Sequence, residues 1–153
     1  MDVSLLVSAD YASVSKDNKL NIMGIFSRLY MRQFPGKHPQ MFLVVQLRAT
    51  PAEYGRKFKL GIRLIDMDAI RHLVNVNANL QIPTMRNINR AEINHVVRLN
   101  NIEFPEPGLY DFSILIDNDV KASLPLEVIE MPLRTVPPSE INEDDHSDED
   151  ETF

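Results

Sequence analysis

Apolar and polar residues alternate at period two through most of the chain, the spacing that puts one row of side chains on one face of a β-strand. Val3, Leu5, Val7, Ala9 and Tyr11 share a face of a first strand, Val3–Val14. Lys16–Lys19 is a polar turn, and Leu20, Ile22, Gly24 and Phe26 resume the alternation. This second strand is expected to continue through Leu29, Tyr30 and Met31 to Phe34, with Gly24 marking a bulge or a close backbone approach. Pro35–Pro39 reads as a break. Met41, Leu43, Val45 and Leu47 follow, and Phe42 and Val44 make the opposite face apolar too, which predicts a central strand.

After the connection Thr50–Gly55, Phe58, Leu60, Ile62 and Leu64 form one row, and Lys57, Lys59, Gly61 and Arg63 form a solvated one. Asp66-Met67-Asp68 begins a reversal into Val74, Val76, Ala78, Leu80 and Ile82, whose opposite face is Asn75, Asn77, Asn79 and Gln81. Pro83–Asn89 is a loop, and Ala91, Ile93, His95, Val97 and Leu99 give a further strand that ends before Phe104-Pro105. The last hairpin lies in Pro105–Met131: Phe112, Ile114 and Ile116 on one arm, and Val120, Ala122, Leu124, Leu126 and Val128 on the other. Asp117-Asn118-Asp119 reverses the chain between them, because Asp and Asn tolerate positive φ. About eight strands and no long stretch of period 3.6 predict an all-β, antiparallel β-sandwich of immunoglobulin-like class. Its strand order, immunoglobulin-like or jelly roll, is not readable from the pattern. The expected organisation is a domain over 1–131, a Pro-rich linker over 132–139 and a disordered acidic tail over 140–153.

Pro107-Gly108-Leu109-Tyr110 resembles the entry to the penultimate strand of immunoglobulin-like and fibronectin-type sandwiches, and the resemblance implies a corner role for Tyr110. Lys19–Phe26, Phe34-Pro35, His38-Pro39-Gln40 and the Pro107–Tyr110 corner are similar to an uncharacterised family of small bacterial proteins, a domain of unknown function. That resemblance covers roughly Val3 to Met131 and implies a fold without a mechanism.

Charge changes the picture at one end. Eight of the 22 acids lie in Glu140–Glu151, where there is no Lys or Arg, so the preceding residues carry 14 acids against 16 bases. The net charge of −6 therefore belongs to the tail. The segment Asp148, Glu149, Asp150, Glu151 to Phe153 resembles the acidic tips of single-stranded-DNA-binding proteins, and the resemblance implies capture of a partner protein by Phe153 and those acids. The bland alternative is a solubilising tail. Arg56, Lys57, Lys59 and Arg63, with Tyr54 and Phe58, form the densest basic cluster, and Arg28, Arg32 and Lys37 form a second around Tyr30 and Phe34. Cations among aromatics suit single-stranded nucleic acid, although a solvated strand face has the same composition.

The chemistry of catalysis is sparse. Cysteine is absent, no G-x-S-x-G elbow or phosphate-cradling glycine loop occurs, and His38, His72, His95 and His146 show no metal-pair spacing. The D-x-D pairs Asp66/Asp68 and Asp117/Asp119 read as turn chemistry before calcium ligands. A hydrolase would have to assemble Glu53, Asp66 or Asp68 with His72 or His95 from distant positions. The expectation is a non-catalytic, cytoplasmic protein without a cofactor or a membrane segment. It would bind an unknown protein through the tail or a sheet edge, and exposed edges could also pair chains into a homo-oligomer.

Overall fold

The computed structural model describes residues 1–133. Nine strands lie in it: β1 (Asp2–Val14), β2 (Leu20–Phe26), β3 (Arg28–Met31), β4 (Gly36–Ala49), β5 (Lys57–Asp66), β6 (His72–Gln81), β7 (Ala91–Phe104), β8 (Gly108–Ile116) and β9 (Asp119–Glu130). They form a four-stranded sheet, β2-β1-β4-β7, and a five-stranded sheet, β3-β9-β8-β5-β6. The run β9-β8-β5-β6 follows the G-F-C-C′ order, with β4 and β7 in the places of B and E, so the sandwich is immunoglobulin-like. The position beside β7, where a D strand would pair, holds no strand among the described residues. No helix there is long and apolar enough to cross a membrane.

The main core lies between the sheets. Met41, Leu43, Val45 and Leu47 of β4 meet Leu60, Ile62 and Leu64 of β5 and Phe112 and Ile114 of β8. Each such side chain contributes roughly 1.5–3 kcal/mol by leaving water. The β8–β9 hairpin turns on two residues, Asp117 and Asn118, both at positive φ, as a type I′ turn requires. Asp117 also ties the turn to β5, since its Oδ1 accepts the Lys59 N–H at 2.9 Å. A register shift between Ile114 and Leu115 sets Val120 opposite Leu115 and leaves it exposed, so the expected five-residue row shortens to Ala122, Leu124, Leu126 and Val128.

Three other expectations are corrected. The segment Leu20–Phe34 is not one strand: the chain leaves the first sheet after Phe26 and joins the edge of the second at Arg28. There β3 pairs with β9 in parallel, so the sandwich is not wholly antiparallel. The Pro35–Pro39 break is shorter than read, because β4 starts at Gly36 and pairs with β7 through His38 opposite Ile102. Strand β7 ends at Phe104, within a residue of the expected end, and Asn101, at φ 51, shifts its interior row from Leu99 to Ile102.

The first strand also changes face. A register shift between Val3 and Leu5 turns Val3 into the main core, while Leu5 and Val7 lie on the opposite side of the sheet. There they join Phe42, Val44, Val96, Ala12, Leu20 and Ile22 in a second, smaller core. Pairing of β1 with β4 stops at Ala9, and the outer half of the β1–β2 hairpin folds back as a flap over the face of its own sheet. At the flap tip the Asn18 side chain donates to the Glu92 carbonyl at 3.3 Å, and Asn94 Nδ2 donates to the Asn18 carbonyl at 2.9 Å. Gly24, at φ +67, interrupts the β1–β2 ladder opposite Asp10, where a Cβ would collide with the Asp10 carboxylate.

Tyr110 is buried at 2% exposure; its Oη donates to the Glu106 carbonyl at 2.6 Å and its ring meets Phe104 edge-on at 5.1 Å. This is the corner that the Pro107–Tyr110 resemblance implies. Tyr110→Phe leaves the Glu106 carbonyl unpaired, and the expected loss in urea unfolding is about 1–2 kcal/mol without a change in fold. Gly24→Ala is expected to cost about 1–3 kcal/mol through the positive φ alone. Gly24→Asn should cost less, because Asn tolerates that conformation. Amide exchange in the Tyr11–Met23 hairpin would rise first in the alanine variant; equal stability of all three proteins would show that Gly24 does not set the fold-back.

Candidate functional site

The structure brings three of the four residues of the main basic cluster onto one surface. Lys57, Lys59 and Arg63 alternate along the outer face of β5, opposite Gln81, Asn79 and Asn75 of β6. Arg56 precedes the strand in the loop. The Arg63 side chain is partly buried, with its Nε among the buried atoms that have no hydrogen-bond partner. The aromatic half of the pattern is missing from this face. Phe58 sits between Lys57 and Lys59, so the pleat turns it inward, where it is 6% exposed. Tyr54 is held at the loop by donating its Oη to the Ile88 carbonyl at 2.7 Å. The tail residues Asp148, Glu149, Asp150, Glu151 and Phe153 lie outside the described residues.

Of the carboxylates and histidines named for a hydrolase, only Asp66 and His72 come near each other, at the β5–β6 turn where His72 stands opposite Ile65. Asp66 Oδ1 accepts the Ile70 and Arg71 N–H groups and shapes the β5–β6 turn, which is turn chemistry. Glu53 lies beyond the other end of β5, bonded to the Met1 amine and to the Thr50 N–H, and these contacts lower its pKa, the amine most. His95 is half-buried on the inner row of β7, and His72 is exposed at the start of β6. Among the described residues no three His, Asp or Glu side chains converge to hold a metal.

Two recesses stand out by size among the described residues. The larger, about 680 Å³, opens between the first half of β6 and the second half of β7. Leu73, Val74, Leu99 and Ile102 give it an apolar floor, and Arg71, Arg98 and His72 stand on its rim, with Glu103 the one acid. It exists because β6 and β7 are both edge strands of their sheets, with no strand between them. Sequence reasoning missed it: nothing in either strand's alternation says that the two edges meet.

The second recess, about 590 Å³, lies where β3 ends and β4 begins. Tyr30, Arg32, Lys37 and His38 line it, so the structure gathers most of the second basic group of the sequence. Arg28 is spent elsewhere, paired through Nε with Glu127 at 2.9 Å, and Phe34 packs against the main core. His38 Nε2 is buried without a partner, and burial pushes its imidazole below the usual value, against an opposing pull from the Gln40 backbone and from Asp10.

Residues 4–129 match the Family of unknown function (DUF6941). The chain belongs to this family. No curated protein matches it. Two solved structures resemble parts of the DUF6941 fold. One is the Pseudomonas fluorescens alkylpurine DNA glycosylase AlkC bound to DNA containing an abasic site analog, at 11% identity and a TM-score of 0.43. That likeness covers 67% of this chain and 27% of the glycosylase chain. The other is an immunoglobulin-like protein from Pseudomonas aeruginosa, at 11% identity and a TM-score of 0.38, covering 80% of this chain and 91% of that one.

Burial likewise holds the His95 imidazole of the DUF6941 domain below its ordinary value of 6.5. A histidine depressed in this way contributes stability that is present above pH 6.5 and lost as the pH falls through its folded-state value. Replacement His95→Leu, among Ile93 and Val97, removes that contribution. The urea midpoint of the wild type is therefore expected to fall more steeply than that of the variant as the pH is lowered from 7 to 5. Parallel curves for the two proteins would show that His95 protonates freely in the fold.

Proposed function

We propose that this DUF6941 domain is a non-catalytic binding module that takes an extended segment of a partner protein in the cleft between β6 and β7. The observation that carries the reading is the cleft itself: about 680 Å³, apolar in its floor and cationic on its rim, between two strands that each present an unpaired edge. An incoming strand adds main-chain hydrogen bonds along such an edge, and alternate side chains find the apolar floor. The β7 edge is long enough for this, at 14 residues. Arg71 and Arg98 favour a segment with acidic flanks. The engagement of Asp66 Oδ1 by backbone N–H groups, and the separation of Glu53 and His95 from the β5–β6 turn, support a binding role over a hydrolytic one. The inward turn of Phe58 weighs against stacking of bases on the Arg56–Arg63 surface.

A displayed library of random twelve-residue peptides would test the reading. Selected peptides are expected to slow amide exchange at Arg98–Glu103 of β7. The exposed-site variants Arg71→Glu and Arg98→Glu, combined, should weaken binding about tenfold. Binders that leave β7 exchange unchanged, or that protect the β2 edge in its place, would overturn this assignment.

A further inference from the structure

The parallel pairing of β3 with β9 has a consequence for the acidic segment. Since Met31 lies opposite Glu130 in a parallel ladder, and the Met131 N–H donates to the Met31 carbonyl at 2.9 Å, the chain leaves β9 alongside Arg32 and Gln33. Leu133, 75% exposed, already forms part of the wall of the recess lined by Tyr30, Arg32, Lys37 and His38. No carboxylate lines that recess among the described residues, and Arg32 and Lys37 make no ion pair there. The flanking acids are Glu103, opposite Lys37 in the β4–β7 ladder, and Glu130, opposite Met31. Tyr30 offers an aromatic face at 58% exposure.

We propose that this recess is the docking site for the chain's own acidic segment, Glu140–Phe153. Three observations select that occupant. Charge is complementary: eight acids without a Lys or Arg in Glu140–Glu151 face two unpaired cations. Reach is sufficient: seven residue steps separate Leu133 from Glu140, at most about 25 Å, so the acidic segment can fold back to the recess. Continuity is direct, because Leu133, the residue that leads into this stretch, is itself part of the wall. Docked there, the acids neutralise Arg32 and Lys37, and Phe153 is the one aromatic in the segment that can meet Tyr30. The proposal does not depend on the β6–β7 cleft, which lies between the opposite edges of the two sheets.

The absence of cysteine makes the test clean, since Ser147→Cys introduces a single labelling site into the full chain. A nitroxide at that position is expected to broaden the amide signals of Tyr30–Gln40 in an isotope-labelled sample. The broadening should disappear in 0.5 M salt, where the screening length is about half that at physiological strength. It should also be lost in the double variant Arg32→Glu and Lys37→Glu, whose two side chains are exposed and whose spectrum otherwise reports the intact fold. Broadening centred on the Lys57–Arg63 face or on the β6–β7 cleft would overturn the proposal. So would broadening absent everywhere, or broadening lost when the labelled chain is diluted into unlabelled protein, which would place the segment on a second copy.

Discussion

Strand β4 carries apolar side chains on both of its faces, and both must be covered. Met41, Phe42, Leu43, Val44 and Val45 are all buried in succession. The second sheet covers one side of this run, through β5 and β8. The other side would face water in a plain two-layer sandwich, at a cost of the order of 1.5–3 kcal/mol for each large side chain exposed. The β1–β2 flap covers it. Its Ala12, Leu20 and Ile22 lie on Phe42 and Val44, and Tyr11 meets the Phe42 ring edge-on at 5.4 Å. The flap in turn requires the sharp change of direction at Gly24, and its tip requires the Asn18 bonds to Glu92 and Asn94.

The same demand determines where the chain goes next. Once β2 has returned along β1, it is at the outer edge of the first sheet, and the nearest unpaired edge is that of β9 across the sandwich. Four residues of β3 fill it, burying Leu29 in the main core and leaving Tyr30 on the surface. That end of β9 is thereby paired, and the sheet edges are β2, β3, β6 and β7. The edge of β2 presents Met23 and Ile25, both well exposed, on the outside of the flap. The edges of β6 and β7 face the larger recess. Capping the end of β9 with β3 while β6 and β7 meet uncapped is what separates a recess at β3–β4, built from loop cations, from a cleft at β6–β7, built from strand edges.

Much of this was legible in the chain. The alternation placed the inward rows of β5 and β8 correctly, since Leu60, Ile62, Leu64, Phe112 and Ile114 are all in the main core. It also marked β4 as a strand with two apolar faces. The Tyr110 corner followed from the resemblance of Pro107–Tyr110 to immunoglobulin-like sandwiches, and the Asp117-Asn118 turn followed from residue chemistry, because positive φ is a local demand. Gly24 was identified as a special position for the same reason. The candidate sites were less legible. Lys57, Lys59 and Arg63 share a face by period two, but Phe58 had to be read with the opposite parity before the absence of a stacking ring was visible.

The sequence by itself determined the class of fold, the inward and outward rows of most strands, and the places where the backbone must turn. These depend on neighbours two to four residues apart, and such neighbours are written in order along the chain. Tertiary structure alone decided that Leu20–Phe34 divides between two sheets, that β3 runs parallel to β9, and that the flap folds onto Phe42 and Val44. It alone brought β6 beside β7 and Leu133 beside Arg32 and Lys37. In each of these cases the choice lies between strand edges and apolar faces of similar local pattern. What settles it is which arrangement leaves the least apolar surface in water across the whole domain.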